Sequence, residues 1–187
     1  MQKKRNEWRL SASSLPIERV KFLDESGFNI DLVRRYGRSI GENRVVGSAP
    51  LNTPPTTTVV SSIDIEGNLS FMSYSGGTTN IRFQEYLKEV LIPSLKPGDY
   101  VVMDNLNAHH AKGVDALLRS AGAVPLYLPP YSPDFNPIEK MWSKVKGILR
   151  GNRARCLSQL KAALDNALAQ ITPENCLGWF RCAGYSC

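Results

Sequence analysis

Two carboxylates frame the middle of the sequence. Asp104 follows the apolar run at 100–103, and Glu139 follows a proline-rich stretch, with thirty-four residues between them. A third acid, Asp24, ends the short run VKFLD at 20–24. Three carboxylates that converge repel one another and raise at least one pKa unless a cation lies among them. Mg²⁺ and Mn²⁺ are hard ions that take oxygen ligands, and Mg²⁺ is commonly held by one or two carboxylates plus substrate phosphate. Two such ions roughly 3.5–4 Å apart can activate a water or a 3′-hydroxyl and stabilise the leaving oxygen of a phosphodiester. The chemistry in prospect is metal-assisted phosphodiester cleavage or transfer.

Each acid also has a plainer reading. Glu139 stands three residues after Asn136 with Pro137 between, the pattern of a capped helix start. Asp104 precedes Asn105 and can be a turn residue. Asp24 and Glu25 can be a solvated strand end. Residue types alone leave these alternatives open.

Other groups surround the acids in sequence. His109 and His110 follow Asp104. Neighbouring loop residues rarely both bind one ion, so His109 is read as a hydrogen-bonding or substrate-contacting residue, with Asn105 beside it on the DNA side, against a purely structural role. Arg34, Arg35 and Arg38 surround Tyr36, a set able to contact phosphates and stack on a base, or else a solvated loop. From 140 to 161 there are seven basic residues and no acid, among them Lys140, Lys144, Lys146 and Arg150. Tyr131, Ser132, Pro133 and Asp134 form a turn-rich approach to Glu139, with Asp134 and Asn136 as turn and cap residues.

The elements that must position these residues follow from pattern. Residues 1–19 are basic, with little apolar periodicity, and read as a loose arm or the remnant of a preceding helix. The run at 20–24 is a strand stopped by the turn signal Asp-Glu-Ser-Gly. Runs at 56–65 and 69–74, joined by Glu66, Gly67 and Asn68, read as an antiparallel hairpin. A helix capped by Thr79 or Asn80 follows, ended by Pro93. The continuous apolar run before Asp104 suits a central strand. A helix marked by Val114, Leu117 and Leu118 and closed by Gly122 leads to a strand at 124–128, giving a βαβ unit with parallel strands. A helix from Pro137 carries the stripe Ile138, Met141, Trp142, Val145, Ile148, Leu149. Further helices are expected at 158–169 and from Thr172-Pro173. The sum is an α/β fold, a mixed sheet with helices on its faces.

Bulk properties agree. The 187 residues suit one domain, and 42% hydrophobic with 21% charged residues is ordinary for a globular chain. A formal charge of +6 is compatible with a polyanionic partner. No apolar run suits a membrane span and the basic N-terminus lacks a signal-peptide core, so a cytoplasmic protein with no membrane partner is expected. Cys156, Cys176, Cys182 and Cys187 fit no zinc spacing and read as reduced thiols.

The segments FLDESG at 22–27, VMDNLNAHH at 102–110 and LPPYSPDFNPIEKMWSKVK at 128–146 closely resemble the DDE transposases of the mariner superfamily, in its bacterial insertion-sequence branch. The third segment and the interval between second and third acids carry most of the resemblance, which runs from about 20 to 170. It implies an RNase H-like catalytic domain over 20–170 with a five-stranded mixed sheet, preceded by a basic arm over 1–19 and followed by a short helical tail over 171–187. It implies Asp24, Asp104 and Glu139 as catalytic and metal-binding acids, with Mg²⁺ (or Mn²⁺), two ions. It implies cutting of transposon ends, transfer of 3′-hydroxyl ends to target DNA, and a homodimer. Full transposases of this type carry helix-turn-helix modules before the core, whereas about twenty residues precede Asp24 here. The chain therefore reads as the second product of a split gene, partnered by the product of an upstream frame, or as a truncated copy. The competing reading is a catalytically silent DNA-binding or regulatory fragment. A host RNase H-like nuclease or resolvase would fit the acids but not the YSPDFNPIE motif.

Overall fold

The computed structural model describes residues 2–106, 109 and 113–187. Among them five strands form one sheet: β1 (Val20–Phe28), β2 (Thr57–Ile63), β3 (Leu69–Ser75), β4 (Tyr100–Met103) and β5 (Val124–Tyr127), in the order β3-β2-β1-β4-β5. β1, β2 and β3 pair antiparallel; β4 pairs parallel with β1 and β5. The sheet is mixed, as the hairpin-then-βαβ pattern predicts.

β1 is longer than the sequence suggests. The turn signal at Asp-Glu-Ser-Gly does not stop it, because β2 supplies a partner at every step from Phe22↔Ile63 to Phe28↔Thr57. Ladder bonds and burial of Phe28 outweigh local turn preference. Its pairing with β4 ends at Phe22↔Val102. Asp24 therefore lies inside a strand, just past the point where its parallel neighbour stops, and Asp104 leaves the end of that neighbour. Strand alternation sends Phe22, Asp24 and Phe28 to one face of the sheet and Leu23 and Glu25 to the other.

Helices cover both faces. On the Leu23 face lie α2 (Asn80–Tyr86) and α3 (Val114–Ser120), with Phe83, Tyr86, Leu87, Leu91, Val114 and Leu118 packed on Val60, Val101 and Met103. Thr79 caps α2, which widens into a π turn at Leu87–Leu91 and closes in a 3₁₀ turn holding Pro93. Gly122 closes α3 at φ 77°, where a Cβ would meet Pro97 at 3.1 Å. On the Phe22 face lie α4 (Ile138–Asn152), α5 (Leu157–Ala169) and α6 (Pro173–Cys182). Thr172 and Asn175 form a capping box at the start of α6.

The N-terminal segment is not a loose arm. Residues Gln2–Ala12 form a helix, α1, without a fully buried side chain. It docks through Arg5 and Trp8 rather than through an apolar stripe, so periodicity could not reveal its packing. The four cysteines are free thiols, Cys176 buried and the others exposed. Among the described residues no helix is long and apolar enough to cross a membrane.

Candidate active site

Asp24, Asp104 and Glu139 lie toward the carboxyl end of the parallel strands, where open α/β sheets place their ligands, near enough for the charges of Glu139 and Asp104 to act on Asp24. Asp24 is 7% exposed, and its Oδ2 accepts a hydrogen bond from the indole N–H of Trp142 at 3.2 Å. Trp142 sits one turn after Glu139 on α4 and packs edge-on against Phe28 of β1. One helix therefore both presents Glu139 and anchors Asp24. Burial pushes the Asp24 carboxyl up to about 8, and the negative charges of Glu139, then Glu25 and Asp104, push in the same direction.

Glu139 lies in the first turn of α4, exposed; its backbone N–H donates to Asn136 O at 3.2 Å, and its carboxylate makes no hydrogen bond or ion pair among the described residues. The expected capped start is absent: Pro137 occupies the cap position with no side-chain bond, and the buried Asn136 Oδ1 lacks a partner. Asp104 and Glu139 line a cleft of about 400 Å³ with Asn105, Leu106, Asn136 and the 128–133 segment.

Asp104 is tied down locally. Its Oδ1 accepts from the Leu106 N–H at 3.0 Å and lies 2.8 Å from His109 Nδ1. His109 is 0% exposed; its Nε2 meets Glu25 Oε2 at 2.9 Å, and the ring stacks against Phe83 with centroids 4.6 Å apart. Burial works against a charged ring, but the hydrogen bonds to Asp104 and Glu25 outweigh it and raise His109 to about 10. His109 thus lies inside the fold between two carboxylates. His110 lies outside the described residues. Glu25 has no prior signal in the sequence: a strand acid beside a turn motif looks solvated until its partner is seen.

This pairing carries a prediction. His109→Ala strands Glu25 inside the protein and should destabilise the fold by about 3 kcal/mol in urea unfolding near pH 6. Because the folded pKa is raised from 6.5 to about 10, the wild-type advantage is complete below about pH 6.5 and fades as pH rises through 10. A variant as stable as wild type at pH 6 would show that the pair contributes nothing.

The carboxylates fit a hard divalent cation in chemistry. They are oxygen donors, and Asp24 is a buried acid among like charges, the condition a cation relieves. Among the described residues, however, no three His, Cys, Asp or Glu side chains are gathered closely enough to ligate one ion.

The basic residues divide. Arg34, Arg35 and Tyr36 line one cleft with Arg150, so the 29–56 loop and α4 bring three guanidiniums together. Arg38 lines the adjoining cleft with Arg153. Lys140 is exposed on α4. Lys146 lies 5.8 Å from the Phe28 ring centroid. Lys144 donates to Gln170 O at 2.6 Å and to Asn175 Oδ1, which joins α4 to the start of α6. The Asn105 amide donates to Leu128 O and ties the end of β4 to that of β5.

A sequence profile of the DDE superfamily endonucleases matches residues 19–161, an interval holding all three acids. The chain belongs to this family. As a DDE superfamily endonuclease it also shares its fold with solved transposase structures. The Mos1 transposase paired-end complex with left transposon end superposes with a TM-score of 0.79 at 19% identity, over 96% of this chain and 57% of that one. The Mos1 mariner paired-end complex with Mn gives 0.77 at 18% identity, over 96% and 57%. The catalytic domain of Mos1 mariner transposase gives 0.69 at 17% identity, over 97% and 86%. The expected RNase H-like fold, a five-stranded mixed sheet flanked by helices, is what these superpositions show for this endonuclease. The chain spans a little over half the length of the first of these transposase chains. Comparison with curated proteins gives no significant match.

Proposed function

We propose that this DDE superfamily endonuclease is the catalytic domain of a DNA transposase of the bacterial insertion-sequence branch. It cuts transposon ends and transfers the freed 3′-hydroxyl to target DNA, with Mg²⁺ or Mn²⁺ held by Asp24, Asp104 and Glu139. One observation carries the reading: a buried Asp24 on which the charges of Glu139 and Asp104 act, the latter two lining one open cleft. A protein of the same fold, Mos1 mariner, was solved as a paired-end complex with Mn. A bound divalent ion supplies Lewis-acid stabilisation of the phosphate and activation of the attacking oxygen.

The chain's own residues have separate tasks. Trp142 fixes the carboxylate plane of Asp24. Glu139 is presented in the first turn of α4, at the positive end of the helix dipole. Asp104 lines the cleft just beyond the end of β4, held by His109. Arg34, Arg35 and Arg150 take DNA phosphates. The catalytic unit is residues 20–170, and it works in the cytoplasm as a homodimer on paired ends.

The test is incubation with pre-cut element ends and target DNA in Mg²⁺ or Mn²⁺, with and without EDTA. Metal-dependent joining that disappears in Asp104→Ala is expected. Joining that survives this substitution would overturn the proposed chemistry.

A second reading, a catalytically silent DNA-binding or regulatory protein, is favoured by the basic cleft of Arg34, Arg35 and Arg150 together with acids not gathered closely enough to ligate one ion among the described residues. Both readings predict salt-sensitive DNA binding. Arg34→Ala and Arg150→Ala should each reduce the slope of log affinity against log salt by about 1. Unchanged slopes in a salt titration would remove these arginines from the interface, and joining activity separates the two readings.

A further inference from the structure

We infer that α1 is a brace for the loop that delivers Glu139, with Arg5 as its positioning residue. The inference rests on the reading of Glu139 as a metal ligand, and it concerns residues outside the acid set.

Arg5 grips the loop at several successive points. Its Nη2 and Nη1 meet Asp134 Oδ2 and Oδ1 at 2.6 and 3.0 Å, a two-pronged contact. Nη1 also donates to Ser132 Oγ at 2.7 Å and to the Tyr131 carbonyl at 3.4 Å. The guanidinium lies over the Phe135 ring, 4.4 Å from its centroid. Tyr131 holds a left-handed backbone, φ 54°, which a non-glycine residue keeps only where its surroundings enforce it. The opposite end of the chain grips the same loop. Tyr185 donates to the Phe135 carbonyl at 2.7 Å, and the Trp8 indole of α1 donates to the Tyr185 hydroxyl at 3.3 Å.

These contacts fix residues 131–135, of which Tyr131, Ser132 and Pro133 line the cleft, and α4 begins three residues after Phe135 with Glu139 in its first turn. Without the brace, the strained turn at Tyr131 can relax and shift that wall and Glu139 with it. Only arginine suits this task. Its planar fork satisfies the carboxylate, a hydroxyl and a carbonyl at once while stacking on a ring; lysine offers one point charge.

The experiment compares the full chain with Arg5→Met, Arg5→Lys and Asp134→Asn. Arg5→Met should speed amide hydrogen exchange at 131–136 by about 10-fold. It should weaken Mn²⁺ binding, read by electron paramagnetic resonance, by roughly 3- to 10-fold, in the range for residues that orient ligands. Single-turnover cleavage should fall about 10-fold while DNA affinity stays within about twofold, as for a group that acts on geometry rather than binding. Arg5→Lys keeps the charge without the fork and should recover less than half of each loss. If Arg5→Met does not fold, Asp134→Asn asks the same question from the loop side. Exchange and Mn²⁺ affinity indistinguishable from wild type would overturn the inference. If the wild type neither binds Mn²⁺ nor cleaves, the functional reading fails, and exchange at 131–136 still decides whether α1 braces the loop.

Discussion

Asp24→Asn is expected to lower strand cleavage by on the order of 10³-fold or more, because it removes a charge placed for transition-state electrostatics. The same substitution should stabilise the metal-free protein. The carboxyl is pushed from 3.8 to about 8 by burial first and by Glu139, Glu25 and Asp104 after it. The unfolded chain ionises above about pH 4, whereas the folded chain must hold the proton or bear a buried charge up to pH 8. The penalty therefore grows between those values and is constant above them. Asparagine has no such penalty and can keep the bond from Trp142. In EDTA, Asp24→Asn should exceed wild type by roughly 2–4 kcal/mol at pH 8 and match it near pH 4, in denaturant unfolding. A variant less stable than wild type at pH 8 would mean that Asp24 is a structural acid.

Trp142→Phe is expected to weaken Mn²⁺ binding by about 10- to 100-fold, the usual effect of losing a group that orients a metal ligand. The indole N–H is the donor to the Asp24 carboxylate, at 3.2 Å. Phenylalanine keeps most of the apolar contact with Phe28 but offers no donor, so Asp24 becomes harder to ionise and freer to rotate. Mn²⁺ titration followed by electron paramagnetic resonance reads the change without catalysis. Unchanged affinity would reduce Trp142 to a packing residue.

Much of this fold is legible in sequence. The hairpin, the βαβ unit and the stripe on α4 obey simple periodicities, and Thr172-Pro173 announces α6. The three acids are legible as candidates, because each follows an apolar run or a proline-rich turn at a recognisable point. What was hidden depends on partners distant in sequence. β1 runs through an apparent turn because β2 lies beside it. Trp142 reads as one more core residue of the stripe, since spacing predicts burial and not the direction of an N–H. His109 and Glu25 are 84 residues apart, and neither signals the other. α1 docks by a guanidinium fork, which leaves no hydrophobic rhythm. Lys144 reads as a phosphate contact within a basic run, yet it caps the α4–α6 junction.

The claim at the centre is that Asp104 contributes an oxygen to the ion that supports cleavage. Asp104→Cys tests it most directly, because Mg²⁺ demands oxygen ligands in strict geometry while Mn²⁺ tolerates a softer donor better. Cleavage by Asp104→Cys should be lost in Mg²⁺ and substantially restored in Mn²⁺. Cleavage in Mg²⁺ equal to that of the wild type would contradict it.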